Sequence, residues 1–250
     1  MKRVLICACL ATACNMSHAT VVDTTDAGTI AAFQSGTTVV NFESVSGVTP
    51  QAISNYTAGV AVDPGSFVFN QLSGVQFSVG GAVGTNEPAV YQLNGTIAGD
   101  AHSPKNVLGP VDFDFTTKFN SSGLIEIFFP VKVSKVGFWL NPSLGNVHLI
   151  AADTNFAFSH ETETTLESGD VTAGHFVGIE RPTADIGGFK IEAAGSTGFT
   201  IDDFSYGGAA VVPEPTMWAF LLVALLALAI GVRRAGQEFS VGTPVGSSGL

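Results

Sequence analysis

Gly198-Phe199-Thr200-Ile201-Asp202-Asp203-Phe204-Ser205-Tyr206 is the stretch on which the fold is decided. In an extended chain Phe199 and Ile201 share one face, whereas Phe204 and Tyr206 fall on the opposite phase, as though one residue had been inserted. A β-bulge at Asp202-Asp203 would return both aromatics to the core face and re-aim at least one carboxylate. Working outward, Val111-Asp112-Phe113-Asp114-Phe115 and Phe189-Lys190-Ile191-Glu192-Ala193 alternate apolar with charged residues, the pattern of half-buried strands. Short β-rich runs recur at Val39 to Phe42, Phe67 to Phe69, Val75 to Val79, Leu124 to Phe129, Val136 to Leu140, Val147 to Ala151 and His175 to Ile179. Gly, Pro, Asn and Ser clusters separate them. Before the C-terminal region only Thr25 to Gln34 offers a helix. Nineteen phenylalanines and 29 glycines with 12% charged residues suit an all-β domain rather than a disordered chain. The expectation is a two-sheet jelly-roll sandwich. The absence of a repeating period argues against a solenoid or propeller.

The two ends read as addresses rather than as fold. Lys2 and Arg3, the apolar run Val4 to Cys14 and the small-x-small site Ser17-His18-Ala19 make a signal peptide, with cleavage expected after Ala19. The alternative is a lipoprotein signal ending at Cys14, but Ala11 stands where a large aliphatic residue is usual. Cys7, Cys9 and Cys14 all lie in this segment, so a chain cut after Ala19 has no disulfide, thiolate metal site or cysteine nucleophile. At the other end Val212-Pro213-Glu214-Pro215 precedes Met217 to Val232, an uncharged run closed by Arg233-Arg234. As a helix starting near Pro215 the run spans roughly 24 Å, short of the ~30 Å hydrocarbon core. The arginine pair would hold its far end on the cytoplasmic side. The alternative is a buried helix of the soluble domain.

This tripartite tail resembles the PEP-CTERM sorting signal of Gram-negative bacteria. The resemblance implies recognition and removal by an exosortase-type enzyme, transient anchoring in the inner membrane, and delivery to the cell surface or extracellular matrix. It also implies an association with exopolysaccharide and biofilm. Ala235 to Leu250 extend past the point where the family pattern ends. The expected organisation is signal peptide 1–19, N-terminal segment 20–36, β-sandwich 37–207, linker and motif 208–216, hydrophobic helix 217–232, and basic stop with flexible tail 233–250.

From Thr20 to Val212 there are nineteen Asp and Glu against six Lys and Arg, a net charge of −13. Nucleic acids and acidic lipid surfaces are therefore poor partners; divalent cations and neutral polysaccharides are better ones. The Ile201-Asp202-Asp203-Phe204 ending resembles the closing strand of jelly-roll carbohydrate-binding modules. There it lies beside an early strand ending in Phe-Glu, matched here by Asn41-Phe42-Glu43. The resemblance implies a structural Ca2+ held by Glu43 and Asp202 or Asp203, with Asp100 as a further candidate. The other reading is that these carboxylates accept bonds from turn amides. His102, His148, His160 and His175 are dispersed, without zinc spacing. Neither a Gly-x-Ser-x-Gly elbow nor a phosphate-binding glycine loop is present. Asp112 and Asp114, two apart on one strand, suit a solvated face rather than a glycosidase pair, and Glu161, Glu163, Glu167 and Asp170 read as solvated charge. Trp139, Tyr56 and Tyr91 are candidates for a sugar-stacking platform, although for Trp139, in Val136-Gly137-Phe138-Trp139-Leu140, a buried core role is the favoured reading. The function expected is a non-enzymatic exported protein that binds polysaccharide; the alternative is a secreted glycan-active hydrolase.

Overall fold

In the computed structural model, residues 19–56, 62–79, 87–111, 123–153, 166–194 and 198–208 are described. They contain strands β1 (Thr20–Thr24), β2 (Thr37–Val40), β3 (Gln51–Ile53), β4 (Gln76–Ser78), β5 (Ala89–Leu93), β6 (Asn106–Gly109), β7 (Leu124–Val133), β8 (Lys135–Leu140), β9 (Val147–Ala152), β10 (Leu166–Val171), β11 (Phe176–Glu180), β12 (Ile186–Ala193) and β13 (Ile201–Gly207), with one α-helix, α1 (Ala27–Gln34). The strands form a two-sheet sandwich, as the alternation implied. One sheet runs β1-β11-β8-β13-β6-β5-β3, with β2 also on β13; the other runs β10-β9-β12-β7-β4. Between them lies a core that includes Phe77, Phe138, Phe189 and Phe204, all fully buried. Phe138 of the first sheet meets Phe189 of the second edge-to-face at 6.5 Å, a contact geometry favoured by the ring quadrupoles.

β13 shows why the bulge matters. Its pairing with β8 runs in register at Ile201↔Leu140 and Asp202↔Trp139, shifts, and resumes at Ser205↔Gly137. Asp203 takes φ 45°, a left-handed conformation that non-glycine residues seldom adopt. The inserted residue puts Phe204 and Tyr206 back among the core side chains. It also divides the other edge of β13 between two partners: Ile201 pairs with Leu108 of β6, and Phe204–Gly207 pair with Val40–Thr37 of β2.

The outer face of the first sheet carries α1. Asp26 caps it, accepting from the Thr29 amide at 2.8 Å, and Ile30 and Phe33 are its buried side chains. Phe33 meets Phe176 edge-to-face at 5.2 Å. It fits because Gly137 and Gly178 face each other in register beneath it; a Cβ on Gly137 would come within 2.8 Å of the Phe33 ring. Gln34 Nε2 donates to Ser205 Oγ of β13 at 3.0 Å.

Several expectations need correction. The sandwich does not begin at Thr37: β1 pairs with β11 along its whole length and α1 packs on the sheet, so segment 20–36 is part of the fold. The run Phe67 to Phe69 is not a strand but a single bridge, Phe67↔Ala89, following a 3-10 turn at Pro64–Ser66. The early strand stops at Val40 because Phe42 turns left-handed, at φ 57°. The Asp112–Phe115 alternation, the signal segment before Ala19, His160, Glu161, Glu163 and the whole C-terminal region from 209 onward lie outside the described residues. Among the described residues no helix is long and apolar enough to cross a membrane.

Candidate functional site

Where β13, the end of β8 and the loop before β6 meet, the outer face of the first sheet forms a cleft of about 140 Å³. Its walls include Asp100, His102, Trp139, Asn141, Thr200 and Asp202. Register explains the grouping. Asp202 lies directly opposite Trp139 on the neighbouring strand, so both side chains leave the same face of the sheet. The loop 98–105 then carries Asp100 and His102 over them.

The loop is held by the carboxylates that the sequence singled out. The Ser103 amide donates to Asp202 Oδ2 at 2.6 Å, and Ser103 Oγ lies 2.7 and 2.8 Å from the two Asp202 oxygens. Asp202 Oδ1 also accepts from the Asp203 amide at 2.7 Å. Glu43 Oε1 accepts from the amides of Lys105 and Asn106 at 2.7 and 2.8 Å, while Asn106 Nδ2 donates to Phe42 O at 3.1 Å. Asp203 Oδ2 sits 2.5 Å from His102 Nδ1. Thus Glu43, Asp202 and Asp203 do gather around one loop, as the motif resemblance implied. They do so by taking hydrogen bonds from it, however. A Ca2+ needs six to eight oxygens turned toward a common centre, whereas here an oxygen of each carboxylate is turned onto a donor of the loop. Among the described residues no group of three or more His, Cys, Asp or Glu is arranged to hold a metal ion. These hydrogen bonds are the ones the turn-amide reading expects.

A second network runs through Asp100, Asn141 and Thr200 of the same lining. Asp100 Oδ2 accepts from the Tyr56 hydroxyl and Oδ1 from Ser143 Oγ, each at 2.8 Å. Asn141 Nδ2 reaches the Tyr56 oxygen at 2.5 Å and Thr200 Oγ1 at 2.8 Å. Burial, with Asp100 alongside, pushes the Tyr56 phenol far above its usual range; it stays a neutral donor that orients Asp100. Asp202 shows burial winning over hydrogen bonding. Desolvation lifts its carboxyl from 3.8 to about 6 even though Ser103 and the Asp203 amide pull the other way.

The aromatic candidates separate. Tyr56 stands at the cleft margin, half-buried, its hydroxyl engaged as above. Tyr91 is fully buried in β5 with its hydroxyl 3.4 Å from Pro110 O, so it has no face to offer a sugar. Trp139, expected in the core, is instead half-buried at the cleft. It stands edge-on to Phe176 at 6.2 Å, and the His102 ring stacks on its face at 4.0 Å with 11° between planes. Outward-facing Trp139 was legible in principle: it alternates with core-facing Val136, Phe138 and Leu140. Of the other histidines, His148 and His175 pair with Asp170 and Asp23 at 2.8 and 2.5 Å; neither lines the cleft. Ala19 packs against the core at the start of β1.

No family model matches this chain. No curated protein matches it either. Among solved structures, one of TmCBM61 in complex with β-1,4-galactotriose is similar to it at 21% identity, over 54% of this chain and 88% of that one, with a TM-score of 0.25. A superposition that loose transfers neither topology nor ligand.

Proposed function

We propose that this is an exported, non-enzymatic protein that binds neutral polysaccharide through the cleft between β8, β13 and the loop 98–105. One observation carries the reading: a half-buried indole, Trp139, and the carboxyl-bearing residues Asp100 and Asp202 line a single recess. Apolar surface suits the C–H face of a pyranose, and oriented acceptors suit its hydroxyls. The acidic lining, in a chain of net charge −11, disfavours uronate or sulfated chains. A recess of about 140 Å³ admits part of one sugar ring rather than a whole oligosaccharide, so extended chains would pass across it. Export and sorting belong to the same proposal and rest on the terminal sequences. Changing Pro213 and Pro215 to Ala should leave the protein membrane-bound and unprocessed; normal release of that variant would remove the sorting signal.

A glycan array probed with the full-length protein, followed by product analysis of every bound glycan, tests the binding reading. The expected result is retention of uncharged polysaccharides without shortening. A second reading, glycan hydrolysis, is favoured by one fact: a carboxyl held at about 6 inside a cleft keeps its proton in weakly acidic solution, as a general acid must. Product formation that disappears in Asp202→Asn would establish hydrolysis and overturn the binding-only reading.

A further inference from the structure

The face of Trp139 that opens toward the cleft is already occupied. His102 lies parallel to the indole at 4.0 Å, and its Nδ1 is fixed by Asp203 Oδ2 at 2.5 Å. The His102 backbone cannot move far, because Ser103 is bound to Asp202 through both its amide and its hydroxyl and Lys105 is bound to Glu43. The imidazole itself is nearly half exposed, at 47% of its side-chain surface, so it can rotate into solvent without disturbing the core. Beneath it the indole is backed by Phe176 and stays in place.

We propose that His102 is a built-in competitor for the Trp139 face: a neutral pyranose stacks on the indole only after the imidazole has swung away, and Asp203 sets how firmly it is held. This rests on the polysaccharide reading and adds the subsite and the residue that restrains it. Asp203 is itself the left-handed bulge residue, so the strain in β13 serves to aim the carboxylate that pins His102. When only a fraction of molecules present an open face, apparent affinity is reduced by that fraction. Removing the imidazole should therefore tighten binding rather than weaken it, the reverse of what a direct contact residue would show.

The test uses the full-length protein with soluble galactan, glucan and mannan as probes and polygalacturonate as an anionic control. Wild type, His102→Ala, Asp203→Asn and Trp139→Ala are titrated calorimetrically. Acrylamide quenching of the emission that is lost in Trp139→Phe reads uncovering of the indole without any ligand. The expected results are greater quenching in His102→Ala, binding tightened about three- to tenfold, a smaller shift the same way in Asp203→Asn, and loss of binding in Trp139→Ala. If wild type binds and His102→Ala binds equally or more weakly, His102 is no competitor, although the polysaccharide reading survives. If neither wild type nor His102→Ala binds any probe, both fall. Should Trp139→Ala misfold, the sign of the His102→Ala change alone still decides.

Discussion

Replacing Asp202 by Asn probes the balance of forces in the cleft floor. The residue is 2% exposed. Burial lifts its carboxyl from 3.8 to about 6, the Asp203 charge adds to the lift, and the Ser103 and Asp203 donors reduce it. Between about pH 4 and 6 the folded protein therefore keeps a proton that the unfolded chain has already lost. Stability from this group is greatest below that window, falls as pH rises through it, and is level above it. A shift of roughly two units, at about 1.4 kcal/mol each, makes the loss about 3 kcal/mol. In Asp202→Asn the amide oxygen can still accept from the Ser103 amide, but nothing there titrates. Other carboxylates titrate in both proteins and cancel in the difference. Denaturant unfolding at a series of pH values from 4 to 7.5, followed by circular dichroism, should show Asp202→Asn gaining about 3 kcal/mol on wild type across the window. That corresponds to roughly 6–12 °C in melting temperature for a domain of this size. Parallel curves would refute the reasoning. A wild type that gains on Asp202→Asn as pH rises would mean that Ser103 stabilises an anion there and that burial does not dominate.

The remaining predictions follow from single contacts. Glu43→Ala removes the acceptor of two amides and should cost about 2 kcal/mol in thermal unfolding, against under about 1 for Glu43→Gln, which keeps the oxygen. Because these carboxylates are satisfied by the loop, melting temperature should be the same in millimolar calcium and in excess chelator; a drop of several degrees on chelation would restore the ion. Gly178→Ala puts a Cβ within 2.7 Å of the Val136 carbonyl and 3.0 Å of Phe33, and should destabilise by about 1–3 kcal/mol in chemical denaturation. A chain of residues 20–208 should unfold cooperatively, while one of residues 37–208, lacking β1 and α1, should melt markedly lower because Phe176 and the edge of β11 are uncovered. Equal melting of the two would contradict the placement of segment 20–36.

Most strands were legible where hydrophobic phase was strict. The bulge at Asp202-Asp203 could be found because its neighbours Ile201 and Phe204 are incompatible with one unbroken period. β1 escaped because Thr20–Thr24 is an edge strand with a mostly exposed pattern, which leaves little alternation to read. β6, Asn106–Gly109, escaped because four consecutive buried residues carry no period at all. Glu43, Asp202 and Asp203 lie around one loop, and what such carboxylates bind depends on loop geometry that short motifs do not carry. The loop that decides it, 99–105, has no pattern of its own. The aromatic candidates Tyr91 and Trp139 could not be told apart for a simpler reason. Aromaticity says nothing of facing, and in each strand the facing is set by neighbours: Tyr91 sits within the buried Ala89-Val90-Tyr91 run, whereas Trp139 lies out of phase with Phe138.

The central claim, that this cleft takes up an uncharged glycan without cutting it, is met most directly by one titration. The neutral polysaccharide held most strongly on the array is titrated into the full-length protein and into Trp139→Ala, and the glycan is recovered for chain-length analysis. The account predicts saturable binding to wild type, none to Trp139→Ala, and recovered chains of unaltered length. Binding that persists in a folded Trp139→Ala, or chains that come back shortened, would contradict it.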